Sequence, residues 1–427
     1  MRLPKTLALC AFTLAGTSAF AQFTQYTEPG GLAREQQSRA EAAQEKAESA
    51  RWTLGKWKIA PDIAISDVAW TDNVYDTRDD AETVSDVTAT ARAGFEGFIH
   101  LGPDVLFSLR AVPSYTYWAD QDDLRSSHFT AGAGLFGLHN RLTWELAADH
   151  TESQSYANDE LRVPLDLENE SATLGLQVQI TGPIGVFARG TALRARYPDR
   201  TPEGAVEADQ SLDRDETVLS GGLFYRPRES FRLGLGVESA ESDFEQDPGG
   251  RSNRSIGPLL DVDLVGNRVE LGVNAVYRQV EFDSPDLEDQ DQVSGGARLL
   301  LHLASRTDAT LYGGRQLVYS ALDESAYFTS QVVGGQLSWR RNPEHKSFAV
   351  AFLAETGTND YEGTGGLGNR SDDIVNYGVN FTFPYRNVLE LQIGVIESEI
   401  DSNLPEFDRS YTAIRTGIRL EPLRLGG

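Results

Sequence analysis

The chain reads as a transmembrane antiparallel up-and-down β-barrel, an all-β fold of about eighteen strands led by a short N-terminal segment. Three observations predict it. Apolar and polar residues alternate along short segments, tight turns and long acidic loops take strict turns between those segments, and aromatic residues gather near segment ends. In 374–383, Tyr377, Val379, Phe381 and Phe383 share one face, and Asn376, Gly378, Asn380 and Thr382 the other. The side chains of a strand alternate between its two faces, so such a segment offers lipid an apolar face and a lumen a wet one.

Residues 1–21 read as a secretory signal: Arg2 and Lys5 are the charged start, 7–16 the apolar middle, and Ala19-Phe20-Ala21 the cleavage site. The apolar run is shorter than the ~20 residues of a spanning helix. Residues 22–56 are expected to form a periplasmic leader. Its 32–51 stretch is rich in Ala, Glu, Gln, Arg and Lys, all good helix formers. Almost no large apolar residue follows Leu32, so the stretch has no face to bury. It reads as a marginal helix or a disordered segment in the periplasm. The functional alternatives are a plug in the lumen or a handle for a periplasmic partner.

The barrel is predicted over 57–420, with a short tail at 421–427. Its strands fall at 57–75, 87–101, 105–118, 127–138, 140–153, 171–180, 184–197, 217–225 and 231–244. They continue at 255–265, 268–282, 292–304, 308–320, 326–339, 347–358, 374–383, 388–399 and 410–420. Sixteen strands is the alternative, because the first strand and the 308–339 pair are the least regular. The tight turns carry Gly, Pro and Asn, which supply positive or preset φ: Gly102-Pro103-Asp104, Thr181-Gly182-Pro183, Arg226-Pro227-Arg228, Gly266-Asn267 and Pro384-Tyr385-Arg386-Asn387. Tyr115, Tyr117, Trp144, Tyr277, Tyr319, Trp339 and Phe383 are placed for an interface girdle.

The formal net charge is −26, from 64 acidic and 38 basic residues. Nucleic acid is a poor partner for such a chain, since it needs basic patches. The acidic residues concentrate in loops at 76–86, 159–170, 203–216 and 283–291. These read chiefly as solvated surface, and secondarily as carboxylates for divalent cations that bridge lipopolysaccharide. No calcium-loop pattern occurs in them. Mean hydropathy is −0.37, a value that would suit a soluble protein. A barrel escapes that inference because only alternate residues meet lipid. Cys10 is the only cysteine and lies in the signal, which excludes disulfides and thiolate metal sites from the mature chain.

Parity assigns a charged lumen. Its predicted lining is Arg92, Glu96, Arg110, Arg141, Glu145, Asp149, Arg232, Glu238, Asp261, Asp263, Arg268, Glu270, Arg278, Arg298, Glu355, Glu390, Arg415 and Arg419. Arginine on the lipid face would cost ~2–4 kcal/mol at the midplane, so the phasing is forced. The mixed charges fit either a self-satisfied, salt-bridged wall or an electrostatic eyelet that orients a polar solute. No hydrolase, zinc-protease or phosphate-loop motif occurs, and the six histidines are scattered. His150, near Asp149 and Glu152, is the nearest thing to a catalytic candidate, and its parity points it outward. The chain is read as a non-enzyme without cofactor or metal.

The hairpin starts share a pattern. Asn140-Arg141-Leu142-Thr143-Trp144-Glu145-Leu146 is echoed by Asn267-Arg268-Val269-Glu270-Leu271 and by Arg386-Asn387-Val388-Leu389-Glu390-Leu391. With the acidic loops, this resembles the outer-membrane β-barrel porin family associated with exopolysaccharide export in Gram-negative bacteria, over about 57–420. The resemblance implies an outer-membrane pore that passes a secreted polysaccharide or small polar solutes, with lipid and lipopolysaccharide as surroundings. The alternative is an occluded structural barrel whose acidic loops bind partners or cations.

Overall fold

The computed structural model describes residues 32, 39–50, 52–75, 83–155, 160, 164–198, 212–247, 250–321, 325–342, 347–362, 370–385 and 389–420. The predicted signal, about half of the leader, the 421–427 tail, most of the 76–86 and 203–216 loops, His345 and the turn residues Arg386 and Asn387 lie outside them.

Nineteen strands form one sheet. A short β1 (Trp52–Leu54) precedes β2 (Trp57–Thr71), β3 (Asp86–His100), β4 (Val105–Trp118), β5 (Ser126–Leu138), β6 (Leu142–Ser155), β7 (Leu165–Gln179), β8 (Ile184–Arg196) and β9 (Arg214–Arg228). Then come β10 (Phe231–Phe244), β11 (Asn253–Val265), β12 (Val269–Phe282), β13 (Gln290–Ala304), β14 (Thr307–Tyr319), β15 (Tyr327–Arg340), β16 (Ala349–Glu362), β17 (Ser371–Tyr385), β18 (Leu389–Ser402) and β19 (Arg409–Leu420). Each long strand pairs antiparallel with its sequence neighbours. β19 returns to β2 through Ile414↔Trp70, Ile418↔Ile65 and Leu420↔Ile63, closing the eighteen strands β2–β19 into a barrel. Closure removes sheet edges and satisfies the wall's backbone donors and acceptors within the wall, as lipid requires.

The seam needs one extra device. β19 ends at Leu420, opposite Ile63, so the start of β2 overhangs it. β1 folds back through Gly55, whose φ is 61°, and pairs Trp52↔Ile59 and Leu54↔Trp57 along that overhang. The first part of the edge that would otherwise stand open, Trp57–Ile59, is thereby covered.

Residue alternation becomes alternation of exposure. Along β9, Asp215, Thr217, Leu219, Leu223 and Tyr225 are exposed, while Arg214, Glu216, Val218 and Phe224 are buried. The same parity leaves Phe95, Leu109, Leu146, Leu174, Leu235 and Phe352 exposed around the outside, where lipid would cover them. Strands are 12–15 residues long, longer than the ~9–11 a tilted strand needs to cross the bilayer. The surplus stands beyond the hydrocarbon, where outward carboxylates such as Glu170, Asp215, Asp243 and Glu399 are exposed to water. This explains why several predicted loop residues are strand: β7 begins at Leu165, inside the acidic 159–170 stretch.

Three other expectations are corrected. Arg226, Pro227 and Arg228 belong to β9, so that turn falls at 229–230 instead. Pro384 and Tyr385 likewise end β17 rather than open a turn. Tyr319 is buried and points inward, its hydroxyl donating to Ser242 (2.8 Å) and accepting from Asn253 (3.0 Å). Tyr115, Tyr117, Tyr277, Trp339 and Phe383 are exposed on the outer wall.

The described part of the leader contains helix α1 (Arg39–Ser49). It does bury a face: Ala40, Ala43 and Ala47 pack on Phe98, Leu106 and Phe136. Small side chains let the helix backbone approach a wall of large ones. Phe98, Leu106 and Phe136 have the opposite parity to the exposed Phe95, Leu109 and Phe129, so α1 lies inside the barrel.

Outward parity carries a direct test. Leu174 is an exposed mid-strand residue of β7. Leu174→Arg should lower unfolding stability in lipid vesicles by ~2–4 kcal/mol. Gln177→Arg, at an inward position of the same strand, should change it far less.

Candidate functional site

The inward parity of the strands assembles a lumen wall in which opposite charges meet across neighbouring strands. Arg92 Nε lies 3.1 Å from Asp62 Oδ1, and Arg110 Nη2 lies 3.8 Å from Asp62 Oδ2. Glu145 faces Arg189 at 3.3 Å. Arg232 pairs with Asp261, stands 3.6 Å from Asp263, and lies 5.8 Å from the ring centres of Phe187 and Phe224. Arg278 donates to the buried Glu238 at 2.6 Å. Glu270 and Asp308 hold His302 between them, at 3.4 and 2.7 Å. Glu355 accepts from Tyr312 (2.8 Å) and Asn376 (3.0 Å). Glu390 accepts from Gln392 at 2.8 Å and stands in register with Arg419. Arg415 is in register with Gly394, and Arg298 with Gly272 and Tyr312.

Two predicted lining residues stand at the ends of their strands. Arg141 and Arg268 precede β6 and β12, are exposed, and extend the ladders to the next strand: Gln179 N–H donates to the Arg141 carbonyl (2.8 Å) and His302 N–H to that of Arg268 (2.9 Å). They mark the tight-turn rim, because the Asn-Arg pair serves the turn and the strand begins one residue later.

Two structures narrow the lumen. Inside it, Arg39 of α1 pairs with Asp149, and Lys46 donates to Glu96 at 2.8 Å. At the long-loop mouth, Glu160, between β6 and β7, reaches the opposite wall. Its carboxylate accepts from Ser320 Oγ (2.9 Å) and the Ala321 amide (2.7 Å), and its carbonyl from Arg409 (2.7 Å). Arg370 grips Asp372 through two bonds of 2.9 and 2.6 Å and lies over the Tyr361 and Phe407 rings at 4.3 and 3.8 Å. A second buried pair, Arg214 with Glu216, lies beneath Phe244 and Tyr319. Apolar packing of Leu165, Tyr197, Leu212 and Ala321 joins the loops around these groups.

Parity alone could have found Asp62 and Arg189, which alternate as their neighbours do. Nothing in period-two alternation marks Glu160 or the leader's Arg39 and Lys46, because their partners lie far off in sequence, and Arg370 precedes β17, although its partner Asp372 is two residues on. On the outer wall, His150 stands 3.3 Å from Glu152, 3.7 Å from Glu168 and 3.8 Å from Glu170, outside the lumen.

No family model matches the chain, and no curated protein matches it. Solved structures match its fold. The outer membrane protein opdK from Pseudomonas aeruginosa is similar at TM-score 0.50 and 10% identity, over 85% of this chain and 98% of that one. A BenF-like porin from Pseudomonas fluorescens Pf-5 is similar at TM-score 0.52 and 8% identity, over 86% and 100%. These likenesses show the architecture, that of a bacterial outer-membrane β-barrel.

Burial pushes the Glu160 carboxyl above its ordinary 4.5. The mouth strap therefore favours the protonated acid: this contribution is full below 4.5 and is lost as pH rises through the raised value. Hydrogen exchange at the Ala321 amide, corrected for intrinsic pH dependence, should quicken across that window, and Glu160→Gln should flatten the response. Asp372→Ala, which strands the buried Arg370, should destabilise the mouth by ~3–5 kcal/mol.

Proposed function

We propose that the chain is an outer-membrane channel for small hydrophilic solutes. The observation that carries this reading is the lumen itself. A barrel of sixteen to eighteen strands is wide enough for an aqueous path, and this one turns charged groups of both signs inward along much of its height. Such a wall offers a polar solute replacements for water and orients its charge during passage. The narrowing by α1 and by the mouth loops fits a selective channel better than an open sieve.

The same mouth packing favours a second reading, an occluded barrel that acts through its acidic loops. Passage of a secreted polysaccharide has no such support. A likeness to a bacterial polysaccharide outer membrane secretin has a TM-score of 0.37 and is too distant to bear on the question.

Single-channel recording in a planar bilayer separates the first two readings. The channel reading expects steady conductance, whereas an occluded barrel expects none. Arg189 and Glu145 face each other with Arg189 substantially exposed. Arg189→Gln should raise the cation-to-anion permeability ratio and Glu145→Gln lower it, each by roughly two- to fivefold, the effect of ~0.5–1 kcal/mol. Unchanged reversal potentials in both variants would remove the lumen charges from any role in selectivity.

A further inference from the structure

The described leader residues touch two opposite walls. Leu32 lies over Gly314 of β14: a Cβ built on that glycine would come within 2.9 Å of the Leu32 side chain. Gly314 shares the inward parity of the buried Tyr312. From Arg39 onward the chain rests on the other side, on Phe98, Leu106 and Phe136 of β3, β4 and β5. Residues 32 and 39 are seven residue steps apart, a reach of at most ~25 Å. Inside the barrel α1 is fixed three ways: by its alanine face, by Arg39 on Asp149, and by Lys46 on Glu96.

The rest of α1 determines what a passing solute meets. Glu41, Glu45 and Glu48 are exposed and recur at helical spacing, away from the Ala40, Ala43 and Ala47 face. Glu41 is close enough to Asp263 of β11 for the two charges to interact. Carboxylates thus face the remaining passage from the helix, and on the wall it approaches, Asp263 stands beside Arg232. A narrow, low-dielectric path focuses their field.

We propose that helix α1 is the restriction that sets both the width and the charge preference of this pore, with Arg39 and Lys46 as its positioning residues and Glu41, Glu45 and Glu48 as the charges it presents. The segment favours small cationic or zwitterionic solutes over anions. This rests on the channel reading above and adds to it the element that selects.

The test is single-channel conductance and reversal potential under a salt gradient, on the refolded full chain and on four variants. Deleting 22–50 should raise conductance severalfold and weaken cation preference. Reversing the helix charges in full-length protein (Glu41→Lys, Glu45→Lys, Glu48→Lys) should shift the reversal potential toward anions at similar conductance. Lys46→Glu should release the helix and raise conductance, and adding Glu96→Lys should restore the parent value. If the full chain conducts but none of these variants differs from it, the proposal is overturned and the channel reading stands. If neither the full chain nor the deletion conducts, both fall. If the full chain is silent and the deletion conducts, the segment is a complete plug, and its role as a selective restriction is overturned. Should the deletion fail to refold, the Lys46→Glu and Glu96→Lys pair decides the question alone.

Discussion

Lipid offers no partner for a backbone N–H or C=O, and the rest of this structure depends on that constraint. Each unsatisfied group would cost several kcal/mol in hydrocarbon, so the sheet must close. Closure fixes the parity of the strands, and parity sorts Leu174 from Thr173 and Leu219 from Val218. The pairing of β19 with β2 is therefore the contact on which the inside and outside of the molecule are defined. β1 matters for the same reason, since it covers Trp57–Ile59, the start of the stretch of β2 that β19 does not reach.

Once inside and outside are fixed, charge follows. Isolated charges in the lumen would pay for desolvation, and most of the predicted lining groups meet an opposite charge or a hydrogen-bond donor on a neighbouring strand. Pairs between partly wet groups contribute little to stability. Their value is positional, because they hold guanidinium and carboxylate groups in fixed rows along the lumen. The buried pairs at the mouth are different. Arg370 with Asp372 and Arg214 with Glu216 are almost wholly out of water, so losing one partner is costly, and they make the loop packing specific.

The architecture was legible because alternation and turn chemistry are local. Tyr377 and Phe383 announce their face within a ten-residue window, and Gly266-Asn267 announces its turn. The phasing of Arg232, Glu238 and Arg278 follows from the same window. Arg141 and Arg268 misled because an Asn-Arg pair that begins a hairpin looks like the first residue of its strand. Tyr319 misled because an aromatic near a strand end fits a girdle outside or a packed mouth inside, and only the positions of Ser242 and Asn253 decide. The leader was hardest to read. Its buried face is made of alanine, which composition scores as indifferent. Its destination depends on Phe98, Leu106 and Phe136, all distant in sequence.

The central claim is that this barrel passes small polar solutes. Liposome swelling with uncharged solutes of graded size, from a pentose to a short dextran, tests it most directly, because it measures passage and not current. The account predicts fast swelling with the smallest sugars, a steep fall as size increases, and none with dextran. Swelling by no solute would contradict it and leave an occluded barrel. Equal entry of dextran and pentose would contradict it as well, because a lumen narrowed by α1 and strapped at its mouth by Glu160 could not be so wide.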